Sequence, residues 1–202
     1  MEEVNVNGFA ENEQDAENEP PKKSWQREVL EWILVILCAF IIAQLINNFV
    51  FRFAKVDGPS MENTLHHNEY LLVWKLGYEP KCGDIIVFET DMNVNGAIQK
   101  QYLVKRVIAT EGQTVEVNYD TDQVLVDGKV IEENYIKDQD MFAPYQTQHA
   151  YPYTVEEGYV YVMGDNRNNS LDSRAKGSIP KADITGKVVF RLLPFDKIGT
   201  LD

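Results

Sequence analysis

The chain has 202 residues and a mass of 23.2 kDa, enough for one compact domain plus an extra segment but short for two full domains. Its 19 Lys and Arg against 32 Asp and Glu leave a formal net charge of −13. That balance excludes a sequence-independent nucleic-acid binder, because phosphate neutralisation needs clustered cations. Two cysteines exclude a disulfide-dense scaffold and a four-thiolate zinc site. The mean hydropathy of −0.33 averages over very unequal segments.

Residues 1–21 hold seven acids, no Lys or Arg and almost no large apolar side chain. Such a stretch cannot bury enough surface to offset the entropy of ordering, and residues 1–27 read as an acidic tail without fixed structure. Trp32 to Phe51 then carries no charged side chain. About 20 residues at roughly 1.5 Å each match the hydrocarbon thickness of a bilayer. Trp25 and Trp32 at one end, and Phe49, Phe51 and Phe53 at the other, resemble interfacial belts. A core helix would show a polar stripe, and a cleaved leader would end in small residues, which Asn47-Asn48-Phe49-Val50-Phe51 does not supply. Residues 28–51 are therefore expected to be one transmembrane anchor. Lys22, Lys23 and Arg27 precede it, against Arg52 and Lys55 after it, which places the tail in the cytoplasm and residues 52–202 outside. Cys38 in the span and Cys82 far beyond it cannot pair with each other.

Past residue 55 the pattern is that of short strands. Glu69–Trp74, Asp84–Glu89, Tyr102–Ala109, Thr114–Tyr119, Gln123–Val126, Gly158–Met163 and Thr185–Leu193 are rich in β-branched and aromatic residues. Asp127-Gly128 is a two-residue hairpin signal. No later stretch sustains a helical period, so a mainly β domain, barrel or sandwich, is expected. Residues 132–157 read as a long irregular excursion.

Three places carry candidate chemistry. Gly58-Pro59 forces a turn that presents Ser60 at a loop end, either as an exposed nucleophile or as the N-cap of a short helical turn. Alternation puts Leu103, Lys105, Val107 and Ala109 on one strand face and Val104, Arg106 and Ile108 on the other. Lys and Arg are rarely buried unpaired, so one of the two cations is expected to point into a site. Only the lysine can act as a base, since desolvation lowers an ammonium pKa whereas a guanidinium stays charged. A lysine snorkelling at a sheet edge would show the same local pattern. Gly164-Asp-Asn-Arg-Asn-Asn-Ser-Leu-Asp-Ser-Arg174 is too polar for core. It fails as a calcium loop, with Ser170 at the sixth position and Lys176 at the twelfth. Asp172 and Arg174 can pair to brace it. The adjacent His66 and His67, and His149, support neither a metal site nor a Gly-x-Ser-x-Gly elbow.

Taken in order, these segments resemble the bacterial type I signal peptidases, membrane-anchored Ser-Lys proteases, in their single-anchor, Gram-positive-like branch. The resemblance runs from the anchor to residue 193. It is carried by Gly58-Pro-Ser-Met-Glu-Asn-Thr-Leu65, Gly83-Asp-Ile-Ile-Val-Phe88, Tyr102-Leu-Val-Lys-Arg-Val-Ile108 and the 164–174 block. It implies a β-rich peptidase domain behind one transmembrane helix, and cleavage of exported preproteins after small residues in an Ala-x-Ala-like pattern. Ser60 matches the nucleophile and Lys105 the general base. Ser170 matches the base-orienting serine, and Asp172 and Arg174 the loop supports. Met61, Leu65 and Val104 flank the pair as candidates for substrate pockets. No cofactor or metal is implied. Implied partners are signal-peptide-bearing preproteins and the bilayer, with the secretion translocon as a further candidate and no nucleic acid. Gly58 stands where some relatives place a hydroxyl residue that completes the oxyanion hole, and Asn63 where many have proline. Two other readings use the same features: a self-cleaving Ser-Lys repressor, which would need a basic DNA-binding segment, and a single-pass β domain that binds ligands without chemistry.

Overall fold

The computed structural model describes residues 24–136, 141 and 149–201. Trp25–Leu45 forms helix α1, and a wider π-helical turn continues it over Ile46–Val50. None of the residues of α1 is buried. By length and composition the stretch Trp25–Val50 is enough to cross a membrane, which makes it a candidate membrane anchor. Helical backbone thus starts before residue 28, and Phe51, placed in the anchor by composition, already belongs to a strand. Residues 1–23 of the expected acidic tail lie outside the described residues, as do 137–140 and 142–148 of the expected excursion. The chain divides into an N-terminal unit ending at Ala43 and a second unit from Gln44 onward.

The second unit is built from antiparallel strands. In chain order they are β1 (Phe51–Lys55), β2 (Tyr70–Trp74), β3 (Ile85–Val94), β4 (Ala97–Thr110), β5 (Thr114–Asn118) and β6 (Gln123–Val126). They continue with β7 (Lys129–Val130), β8 (Tyr153–Thr154), β9 (Tyr159–Met163), β10 (Ile179–Pro180), β11 (Ile184–Leu193) and β12 (Gly199–Thr200), with one short helix, α2 (Ser173–Lys176), after β9. The larger sheet runs β1-β2-β11-β3-β4-β9-β10, with β12 on β11, and the smaller runs β7-β6-β5-β8. The domain is mainly β behind one apolar helix, as the strand pattern predicts.

Three strands, β1, β3 and β4, differ from the sequence expectation. β1 begins at Phe51, directly after the helical turn, and pairs with β2 from Phe51↔Trp74 to Lys55↔Tyr70. The aromatic residues read as a membrane belt are also good strand formers, and Phe51 packs edge-on against Trp74 at 5.0 Å between ring centroids. β3 and β4 are longer than the apolar cores that marked them, because they meet in one hairpin through Asn95-Gly96. Both turn residues have positive φ, 55° and 85°, as a two-residue hairpin turn with right-handed strand twist requires.

Burial explains where the site can sit. Ile85 and Val87 enter one core cluster with Val56, Met61, Leu65, Leu71, Val73 and Val188. Ile86 and Phe88, on the opposite face of β3, enter another with Val107, Val160, Val162 and Ile179. A third cluster joins the two sheets, bringing Ala109, Tyr161 and Met163 together with Val115, Val117 and Val124. β3 is thus covered on both faces, and Ile86 and Ile85 pair across to Lys105 and Arg106 of β4. Both cations are consequently buried, at 2% and 3% exposure, where alternation alone had suggested that one would point into a site.

Candidate active site

Ser60 lies in the turn between β1 and β2. Glu62 N donates to Pro59 O at 3.1 Å and Leu65 N to Met61 O at 2.7 Å, so the turn winds tightly without becoming a helix. Gly58 enters it at φ +91°, a conformation that L side chains rarely adopt. Met61 and Leu65, expected to line substrate pockets, are only 1% and 0% exposed inside the core. Their structural contribution is to anchor the Ser60 turn, because apolar side chains this size gain more from full burial than from a shallow surface groove. Val104 is half-buried against the same cluster.

Lys105 reaches the turn from β4. Its Nζ donates to Ser60 Oγ at 2.7 Å and to Val104 O at 2.9 Å. Burial pulls the Lys105 ammonium down to about 8, outweighing the nearby carboxylates of Asp172 and Asp165, which hold it up, while Arg174 adds to the lowering. A half-buried hydroxyl hydrogen-bonded to an easily deprotonated amine can act as nucleophile and base. His66 and His67 face elsewhere. His66 Nδ1 lies 3.5 Å from Glu69, and His67 Nδ1 accepts from Gly58 N at 3.3 Å.

The polar loop after β9 closes over this pair. Asp172 caps α2 by accepting from Arg174 N, and its carboxylate takes two further bonds from the Arg174 guanidinium, both 2.9 Å. Gly164 N donates to Asp172 Oδ2 at 3.0 Å, and Arg174 Nη2 to Arg167 O at 2.6 Å. Burial raises the Asp172 carboxyl pKa, but the Arg174 charge and the donated hydrogen bonds bring it below its ordinary value. The expected pairing of these two residues is therefore present. Ser170 is different: its Oγ is buried beside Asp172 without a hydrogen bond of good geometry, and among the described residues it makes none to Lys105.

Several residues that sequence reasoning passed over hold the two halves together. Asn166 N donates to Ser60 O at 3.1 Å and Asn166 Nδ2 to Pro59 O at 3.1 Å. Asp165 receives Arg106 Nε and Nη2 at 3.0 and 2.8 Å, and accepts from Thr64 Oγ1 at 2.5 Å. Gly164 is required by space. A Cβ there would lie 2.5 Å from Ser60 O and 2.6 Å from Ser170 Cβ. The Gly-Asp-Asn-Arg run signalled a polar loop, but its partners lie as many as 107 residues away, beyond any local pattern.

Comparison with known proteins identifies the family. The family described as "Signal peptidase, peptidase S26" matches residues 29–193. "Probable signal peptidase I-1" of Synechocystis sp. is 37% identical over 190 residues, covering 92% of each chain. "Signal peptidase I T" of Bacillus subtilis is 36% identical over 194 residues, 92% of this chain and 96% of that one. A crystal structure of a signal peptidase I from Enterococcus faecalis is 27% identical, with a TM-score of 0.39 over 55% of this chain and 98% of that one. The chain belongs to the signal peptidase family, peptidase S26, as a serine peptidase of the signal peptidase I type.

Proposed function

We propose that this peptidase cleaves signal peptides by a Ser60–Lys105 dyad. The observation that carries the reading is the 2.7 Å contact between Ser60 Oγ and a lysine that is 2% exposed and titrates near 8. In its neutral form the Lys105 amine accepts the Ser60 proton while Oγ attacks the scissile carbonyl, and it then returns the proton to the leaving amine. Water hydrolyses the acyl-enzyme with the same amine as base. Asp172 and Arg174 hold the covering loop, and Ser170, buried in that loop, is the residue that orients the base. The oxyanion is received by backbone N–H, that of Ser60 foremost. Gly58 brings no hydroxyl, and its own N–H is engaged by His67. Loss of one such donor typically costs on the order of 100- to 1000-fold in rate.

The substrates are exported preproteins cut after small residues in an Ala-x-Ala-like pattern, with Val104 at the pocket wall and Met61 and Leu65 beneath it. Helix α1 anchors the enzyme in the cell membrane as a single pass, with residues 1–27 cytoplasmic and residues 52–202 on the outer face, where the translocon releases its products. The test is cleavage of a preprotein bearing an Ala-x-Ala site by the full chain in detergent. Wild type releases the mature N-terminus, and Ser60→Ala and Lys105→Ala each abolish release. Full activity of either variant rejects the dyad.

A further inference from the structure

The start of the irregular segment after β7 makes three contacts that the dyad chemistry does not explain. Asn63 Nδ2, three residues after Ser60, donates to Ile136 O at 3.1 Å. The Tyr135 ring lies under the guanidinium of Arg106, the residue after Lys105, at 3.9 Å from its centroid. Glu133 pairs with Arg167, accepting from Nη1 at 2.8 Å and also from Nη2, and the Arg167 side chain is 0% exposed. Tyr135 OH in turn donates to Glu133 Oε1 at 3.0 Å, which ties two of the grips together.

We propose that residues 133–136 form a positioning strap for the active site, with Glu133 and Tyr135 as its working residues. This rests on the dyad reading above. Each grip lands one to three residues from a group the reaction needs. Arg167 Nε donates to Gly164 O at 3.1 Å, and Gly164 is the residue that packs against the Ser60 carbonyl. Arg106 is fixed from one side by Asp165 and from the other by the Tyr135 ring, and its backbone is continuous with Lys105. The nucleophile turn, the base strand and the covering loop come from distant parts of the chain, and the strap touches all three. A fully buried guanidinium without a counter-charge seeks water or another acceptor, so loss of Glu133 frees the loop that backs Ser60. A ring beneath a cation adds attraction and also excludes solvent, so loss of the Tyr135 ring loosens the strand position beside the base. The strap acts through its neighbours and does not touch the reacting atoms. Its signature is therefore a loss in kcat with little change in KM, because geometry at the reacting centre is disturbed and substrate contacts are not.

The experiment measures kcat, KM and thermal midpoint for the full chain in detergent with an Ala-x-Ala peptide. The variants are Glu133→Gln, Glu133→Asp, Tyr135→Leu, Tyr135→Phe and the exposed Asn63→Ala, with Ser60→Ala and Lys105→Ala alongside. The strap predicts that Glu133→Gln and Tyr135→Leu lower kcat at least tenfold at temperatures where both are folded, with KM within threefold of wild type. Glu133→Asp and Tyr135→Phe, which keep the charge and the ring, recover most of that loss, and Asn63→Ala loses about three- to tenfold. Rates within threefold of wild type for folded Glu133→Gln, Tyr135→Leu and Asn63→Ala overturn the strap. So does a loss that follows the folded fraction alone and disappears on cooling. If those variants are normal while the Ser60 and Lys105 variants are dead, only the strap fails. If the Ser60 or Lys105 variant is fully active, the dyad fails and the strap with it.

Discussion

Gly164→Ala isolates the contact between the covering loop and the nucleophile. The added methyl would sit 2.5 Å from the Ser60 carbonyl oxygen and 2.6 Å from Ser170 Cβ, both closer than real Cβ atoms approach other atoms. Restoring contact at about 3.5 Å requires Ser60 and Gly164 to separate by roughly 1 Å. The displacement cannot be absorbed by a flexible side-chain end alone, since the Ser60 oxygen is backbone. A shift of that size at the reacting atom lowers kcat on the order of 100-fold, and overpacking destabilises by about 1–3 kcal/mol. The assay is peptide cleavage with kcat and KM resolved, together with the thermal midpoint. Gly199→Ala is the control, because a Cβ at Gly199 meets nothing within 4 Å. A Gly164→Ala enzyme with kcat within threefold of wild type would refute the close packing of this loop on Ser60.

Lys105→Met is expected to trade activity for stability. The folded pKa of about 8 lies below the ordinary lysine value, so the unfolded chain binds more protons between about 8 and 10.4 and wild-type stability rises with pH across that window. Below pH 8 the buried ammonium imposes its full penalty, about 3 kcal/mol. At pH 7 the inactive variant therefore melts above wild type and the gap closes toward pH 10; a lower midpoint at pH 7 would contradict this. Asp172→Asn leaves the 1% exposed Arg174 side chain without its counter-charge and is expected to cost about 3–5 kcal/mol at pH 7 by urea unfolding. The Asp172 carboxyl is lowered in the fold, so its contribution is present above about pH 4 and is lost as pH falls through the folded value. The variant should accordingly lose less stability than wild type between pH 4 and 2, and equal losses would argue against the pairing.

Local pattern revealed much of this architecture because its strands are short, β-branched and bounded by turn residues. Gln123–Val126 with Asp127-Gly128 gave β6 and its hairpin directly, and the turn residues take φ of 51° and 73°. Asn95-Gly96 carried the same signal. It was obscured because the flanking ladder, Glu89 to Tyr102, is largely polar and exposed, with only the short Met92 and Val94 alternation to mark it. Phe51–Lys55 was hidden differently: an aromatic, basic stretch beside an apolar span suits a membrane interface and a strand equally well. At the site, the sequence singles out Ser60 after a Gly-Pro turn, Lys105 on an apolar strand and the Asp172–Arg174 pair in a polar loop, while the roles proposed for them come from the family resemblance. Asp165, Asn166, Glu133 and Tyr135 are not singled out, since their roles exist only through partners distant in sequence, as with Glu133 and Arg167. Met61 and Leu65 are near Ser60 in sequence, but their size and apolarity draw them into the core, so they can support a pocket only from beneath.

The central claim is that burial lowers the Lys105 ammonium far enough to supply, beside Ser60, the neutral amine that takes the hydroxyl proton. Direct NMR titration of the Lys105 side chain in the full-length chain in detergent tests it. The account predicts a pKa of about 8, and a value near 10.4, that of an ordinary solvated lysine, would contradict it.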